Sequence, residues 1–397
     1  MKKKYVLFSI VIVVLLVTFV TCFNYFKTTN NYVEDNVNNQ TKITKGISMN
    51  LEQTAGAGDY KTVTQSSWPT EGYKFNTELS RCENGSTLSW DDTKKAVIVS
   101  GNMSDKCYVY FDIWIPSIAA FCTSGTDLAT CVKNFGDQGA SVSNIYIHDS
   151  SLTNGAGDNS YRYAGASDSV NNYICLGSDA ATCPEANLFR IIGVFGGKTK
   201  VIRAKSVGGQ KWNTSYSNTW SSSSLNTYLN GEYLTSIGTI ADKIATTTWK
   251  VGGNTSANIS GVVPKTAYQY EVGSSASTTT VDKKIGLMYV TDYYYSASPS
   301  AWTLVGYNSS DAAKDYRAAK TTNWLFSGQE WTISRNSGTT GNAFDVNSAG
   351  LVDYYNVSGS CAVRPSFNLL SSTTYVSGSG SMSDPIKINW YTIDILW

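Results

Sequence analysis

Apolar residues run almost unbroken from position 5 to position 23, behind Lys2, Lys3 and Lys4. A helix needs about 20 such residues to cross a membrane, whereas a secretory signal has a shorter apolar region and a small-residue cleavage site. No such site is evident. Residues 1–23 are therefore predicted to form a signal-anchor transmembrane helix, with the lysines holding the N-terminus in the cytoplasm. A cleaved signal peptide is the alternative, and it too exports the rest of the chain. Residues 24–45 are polar, Asn-rich and aperiodic, and read as a stalk.

Beyond the stalk the apolar period becomes two. Between 106 and 115, Cys107, Val109, Phe111, Ile113 and Ile115 fall on one face; Tyr108, Tyr110, Asp112 and Trp114 fall on the other, as in a half-buried strand. Further strand-and-turn runs make 46–116 a small, sandwich-like all-β module. Residues 117–138 change period. Leu128, Cys131, Val132 and Phe135 are spaced as on an amphipathic helix, with Thr126 placed to cap it and Gly136 to end it, and this reads as a connecting helix. From 139 to 397 short strands alternate with Gly/Ser/Asn turns. A hairpin is predicted over 188–195 and 199–204, a short helix over 221–229, and strands over 284–291, 343–346, 351–355 and 361–369. This mixture predicts an α+β domain.

Composition adds where the protein works. Charged residues make up only 15% of the chain against about 25% in an average domain, and the net charge is +1. Nothing here gives the electrostatic footprint of a nucleic-acid partner. None of the eight cysteines sits in a C-x-x-C pair, so zinc-ribbon spacing is absent. With Cys22 taken as an apolar residue of the first segment, three sequence-local pairs suggest themselves: Cys82–Cys107, Cys122–Cys131 and Cys175–Cys183. Cys361 is left odd. Such pairs persist in oxidising surroundings outside the cell.

Several runs carry a family resemblance. They are Asn172-Tyr173-Ile174-Cys175, the stretch from Cys183 through Arg190 to Phe195, Trp220 with Leu225 and Leu229-Asn230, Asn323-Trp324-Leu325-Phe326-Ser327-Gly328 with Glu330-Trp331, Val363-Arg364-Pro365-Ser366-Phe367-Asn368-Leu369, and Gly378, Gly380, Asp384 and Pro385. Together, over roughly 140–390, they resemble a domain of unknown function from surface proteins of Gram-positive gut bacteria. That domain is similar to the C-type lectin and formylglycine-generating-enzyme superfold. The resemblance implies a C-type-lectin-like α+β binding fold. The calcium-loop motifs of sugar-binding lectins and the cysteine pair of the formylglycine-generating type are missing.

Candidate chemistry is sparse. His148 is the only histidine and reads as an exposed structural residue. The run from Asp345 to Gly350 begins like a calcium loop, but Asn356 stands where the closing Glu belongs, so it reads as a hairpin turn. Arg364 lies in an apolar strand and needs a carboxylate partner, such as Asp345 or Asp384. The abundance of Tyr and Trp among Ser, Gly and Asn suits binding loops. Tyr294, Trp302, Trp324, Glu330, Trp331 and Arg335 are the candidate ligand contacts. No catalytic residue, metal or cofactor is assigned. The expectation is a single-pass cell-surface adhesin or ligand-binding protein, with an extracellular C-terminal domain, attached to the membrane by its first helix and binding a glycan or protein. An extracellular carbohydrate- or protein-modifying enzyme and a structural envelope component are the alternatives.

Overall fold

The computed structural model describes residues 46–54, 56–64, 67–69, 72–102, 104–114, 116–304 and 321–390. The chain divides into two compact units, Met1–Ile115 and Pro116–Trp397.

The first unit contains strands β1 (Ile47–Glu52), β2 (Tyr60–Val63), β3 (Tyr73–Phe75), β4 (Arg81–Cys82), β5 (Thr87–Asp91), β6 (Ala96–Ser100) and β7 (Cys107–Ile113). One sheet runs β2-β1-β7-β3, with β4 also on β7, and β5 and β6 form a separate hairpin. The alternation in β7 points Cys107, Val109 and Phe111 into the core. Leu88 and Trp90 of the hairpin pack against them, with the Trp90 and Phe111 rings edge to face at 5.5 Å. β1 and β7 pair parallel, so the unit is not the simple meander its turns suggest. Cys82 and Cys107 are register partners and are joined by a disulfide.

The second unit contains β8 (Ile145–Ile147), β9 (Tyr161–Tyr163), β10 (Tyr173–Cys175), β11 (Leu188–Phe195), β12 (Lys198–Arg203), β13 (Gly209–Lys211), β14 (Thr247–Lys250), β15 (Thr280–Lys283), β16 (Ile285–Gly286), β17 (Glu330–Arg335), β18 (Asn342–Val346), β19 (Val352–Asn356), β20 (Ser360–Ala362), β21 (Ser366–Asn368), β22 (Tyr375–Ser377) and β23 (Ile386–Ile388). Its main sheet runs β16-β21-β12-β11-β10-β23-β22, and β9 joins it through β11, carrying β8. A second sheet runs β13-β20-β17-β18-β19, and β14 pairs with β15.

Local chemistry explains the key elements. β11 and β12 turn at Gly196 and Gly197, whose φ angles of 54° and 78° suit the tight hairpin turn that favours glycine. The register of β11 shifts between Ile191 and Gly193. There a Cβ on Gly193 would stand 2.1 Å from the carbonyl oxygen of Tyr161, so only glycine lets β9 dock.

Several expectations are corrected. The helix Leu128–Gly136 is capped by Asp127, whose carboxylate accepts from the Thr130 N–H, rather than by Thr126. Leu128, Cys131, Val132 and Phe135 lie in the main core of the second unit, so this helix belongs to that unit and is no connector. The strand expected over 361–369 is two strands in different sheets, broken where Pro365 supplies no N–H. The strand expected over 284–291 stops at Gly286, and the chain becomes a helix at Val290–Ser296. There Asp292 folds back to accept from the Tyr289 N–H at 2.8 Å.

The fold class itself is corrected. The described residues form a mixed α+β fold with many strands and few, short helices. No helix among them is long and apolar enough to cross a membrane. The transmembrane helix expected at 1–23 and the stalk at 24–45 lie outside the described residues. Among the described residues the first unit is all-β and the second α+β.

Candidate functional site

The register of the main sheet places four residues in one row. Asn368 of β21 pairs with Lys200 of β12, Lys200 with Gly193 of β11, and Gly193 with Arg162 of β9. Residues directly opposite one another share a face, so an amide and two cations line up there. Glycine occupies the position between the cations. Over this row lies a cavity of about 270 Å³. Trp249 of β14, Tyr268 of the helix Pro264–Glu271, Tyr289 and Phe195 wall it, and Asp158, Lys250, Asp292, Thr247, Thr248 and Thr291 add to its polar lining.

Two ion pairs are built into the floor. Lys200 Nζ donates to Asp292 Oδ2 at 2.5 Å, and both side chains are at most 6% exposed. The ammonium also faces the rings of Tyr289 at 4.6 Å, Trp249 at 5.3 Å and Phe195 at 5.6 Å. Burial pushes the Lys200 pKa below its ordinary value, and Asp292 opposes that shift. Arg162 Nη2 donates to Asp158 Oδ2 at 2.7 Å, and its Nε donates to Ser160 Oγ. For Asp158, burial acts to raise the pKa. The charge of Arg162 and the Ser160 hydrogen bonds outweigh it and bring the carboxyl down to about 2. The Tyr268 hydroxyl donates to the same Asp158 oxygen at 3.0 Å.

What distinguishes the site is the polar valence left over. Asn368 Oδ1 is buried with no hydrogen-bond partner among the described residues. Lys200 Nζ makes one hydrogen bond of a possible three. Asp292 spends Oδ2 on both Tyr289 N and Lys200, which leaves Oδ1. Buried polar groups are satisfied in folded proteins at a rate of about 90% or more, so the orphaned Asn368 Oδ1, one of several such atoms among the described residues but the one at this cavity, together with the spare valence of Lys200 and Asp292, marks a place for a ligand or water.

The residues singled out from sequence sit elsewhere. Tyr294, Trp302, Trp324, Glu330 and Trp331 are each only 1% exposed. Their polar tips are committed within the protein: Tyr294 to Ile259 O, Trp302 to Ala297 O, Trp324 to Tyr163 O and Trp331 to Gln210 O. Trp324 also lies under the guanidinium of Arg190, 4.6 Å from its ring centre. Arg335 is half-buried and donates from Nε to Gly252 O, away from the cavity lining. Five of these six are therefore core groups rather than surface contacts, and Arg335 alone keeps part of its side chain in solvent.

Arg364 has its carboxylate partner, but that partner is Glu330 and not Asp345 or Asp384. Arg364 Nε donates to Glu330 Oε2 at 2.7 Å, and Nη2 bonds the other oxygen. Asp384 instead accepts from Ser379 N, and Asp345 accepts from Gln329 Nε2. Glu330 is thus a structural anion. His148 is also corrected: it is fully buried against Tyr295 and Trp302, not exposed. Its Nδ1 accepts from the Ala156 N–H, and burial drives its pKa down to about 2. Disulfides join Cys82 to Cys107, Cys122 to Cys131 and Cys175 to Cys183, and Cys361 is a buried thiol. Three disulfides are compatible with an extracellular protein.

Residues 196–371 match the profile of one known domain. A DUF6273 domain of unknown function occupies them. The DUF6273 segment is narrower than the 140–390 stretch that carried the motifs. It includes Lys200, Trp249, Lys250, Asp292 and Asn368, whereas Asp158 and Arg162 come from the preceding segment. The cavity is therefore built jointly by the DUF6273 domain and the chain just before it. No curated protein and no solved structure matches the chain.

The cavity residues carried a sequence signal that went unread. Lys200 directly precedes the apolar pair Val201-Ile202, as Arg162 lies between two tyrosines. A charge among apolar neighbours singled out Arg364, and Arg162 carries a similar signal between its tyrosines, whereas the strand of Lys200 holds two further cations that hide it.

Proposed function

We propose that this chain works outside the cytoplasm as a ligand-binding protein, and that the cavity over the Asn368–Lys200–Gly193–Arg162 row holds one glycan residue. The supporting observation is the coexistence of unspent donors and acceptors with aromatic walls in one recess. Aromatic faces accept the C–H side of a sugar ring, and fixed polar groups set its orientation. The recess is small, at about 270 Å³, which suits a single ring rather than a long chain segment. Attachment to surface glycans, as an adhesin would make, is a role this site could serve. The disulfides support the extracellular setting.

The test is a glycan array probed with the full chain and with Asn368→Leu. The reading expects a defined set of glycans bound by the first and lost by the second. Silence from the folded wild-type chain, or equal binding by both, overturns it.

A further inference from the structure

We infer, on the reading that the cavity holds a glycan residue, that this residue is acidic: a singly charged sugar bearing a carboxylate, of the uronic-acid type. Three cations line the cavity, Arg162, Lys200 and Lys250, against two carboxylates, Asp158 and Asp292. The lining thus carries an excess of one positive charge in a recess walled by aromatic rings, where water screens it poorly; Glu271, buried behind the lining and also acting on Lys200, has both oxygens held by Val290 N, Thr291 N and Ser334 Oγ, and burial favours its neutral form.

The hydrogen-bond ledger agrees with the charge. Asp158 is fully committed: Oδ1 accepts from Ser160 N and Oγ, and Oδ2 accepts from Arg162 Nη2 and the Tyr268 hydroxyl. It has nothing left to offer a ligand. Unspent capacity on the cations is larger. Arg162 Nη1 has no acceptor among the described residues, because this guanidinium bonds only through Nε and Nη2. Lys200 Nζ has one acceptor, and Lys250 Nζ donates to Val272 O at 2.7 Å and Gly273 O at 3.2 Å with a third hydrogen to spare. Planar, fork-like donation from Arg suits a carboxylate.

The remaining acceptors are Asn368 Oδ1 and Asp292 Oδ1, which match ring hydroxyls rather than a second anion. A single negative charge balances the excess; a phosphate dianion overshoots it. Gly193 leaves no side chain between Lys200 and Arg162 in the row, and both charged groups face the same Phe195 ring, at 5.6 Å and 4.7 Å, which brings them to one wall of the recess.

The experiment is calorimetric titration of the full chain with glucuronate, galacturonate, glucose and galactose, at low and at raised salt. Uronates are expected to bind at least tenfold tighter than the matching hexoses, with the preference shrinking as salt rises. Lys250→Met, whose side chain is half-buried, is expected to lower uronate affinity about fivefold more than it lowers hexose affinity. Equal or tighter binding of the neutral hexoses overturns the inference while leaving glycan binding in place. Failure of all four sugars, together with a silent array, sinks both. Because Lys200→Met leaves Asp292 unpaired, Lys200→Met/Asp292→Leu serves as the second variant. If it folds and still prefers uronates by the wild-type margin, the acid group does not meet Lys200 and the assignment between Lys200 and Arg162 is overturned.

Discussion

Replacing Asp345 by Asn should stabilise the protein above neutrality and lose that advantage in acid. Asp345 lies in β18, is 1% exposed and gives only one carboxylate oxygen a partner, Gln329 Nε2 at 3.1 Å. Its Oδ1 is buried without one. Burial therefore lifts its pKa from the ordinary 3.8 to about 6. The sign follows from linkage. A carboxyl with a raised folded-state pKa contributes stability below its unfolded pKa and loses it as pH rises through the folded value. Two pH units of separation correspond to about 3 kcal/mol held against the native state above pH 6. Asn mimics the protonated form, keeping the acceptor for Gln329 and the orphan group opposite it. Its own burial cost of about 1–3 kcal/mol is then the same at every pH. The informative quantity is thus the change in ΔΔG between pH 8 and pH 4, measured by urea unfolding of Asp345→Asn beside wild type. About 2–3 kcal/mol is expected, with the Asn form relatively more stable at pH 8. Contributions of other groups, His148 included, cancel in the comparison. A ΔΔG that does not vary with pH would refute the reasoning, because it would mean that Asp345 titrates normally in the folded chain.

Three further outcomes follow from the same structure. His148, with a folded pKa of about 2 against an ordinary 6.5, takes no proton in the native state while the unfolded chain does. Wild-type stability should then fall by about 1.4 kcal/mol per pH unit below 6.5 from this residue alone, and His148→Asn should remove that slope in unfolding measured from pH 7 to pH 4.5. Lys200→Met should cost about 3–5 kcal/mol by stranding the buried Asp292 carboxylate, and Lys200→Met/Asp292→Leu should recover most of it; a double variant as unstable as the single one contradicts a buried pair at this place. Among the cysteines of the described residues, denatured but unreduced full chain should take up thiol label at Cys361 alone, and mass spectrometry finding label at any of the six bonded cysteines would contradict the disulfides.

The strand β7 was legible because its alternation is local: every second residue from Cys107 to Phe111 enters the core, and the period is visible in the sequence. The need of Arg364 for a carboxylate was legible for a similar reason, since an arginine in an apolar strand cannot stay unpaired. Its partner was not, because the choice depends on sheet register. Glu330 lies on the strand beside β20, opposite Ala362, whereas Asp345 lies one strand further away, opposite Trp331, and only the order and register of the sheet decide which carboxylate meets the guanidinium. The aromatic residues misled for a different reason. Composition reports how many Tyr and Trp a chain has, not where they go, and Trp302, Trp324 and Trp331 have indole N–H groups that find backbone carbonyls inside the core. The cavity was illegible as a site because residues 162, 193, 200 and 368 meet only through the pairing of four strands. Each of their charges could be noticed singly, but nothing local announces the row.

The most direct test of the ligand cavity is a crystal structure of the full chain grown with glucuronate. Density for one sugar ring is expected against Trp249, its carboxylate between Lys200 and Arg162 and a hydroxyl within hydrogen-bond distance of Asn368 Oδ1. A sugar bound elsewhere on the chain, with only solvent over that row, would contradict it.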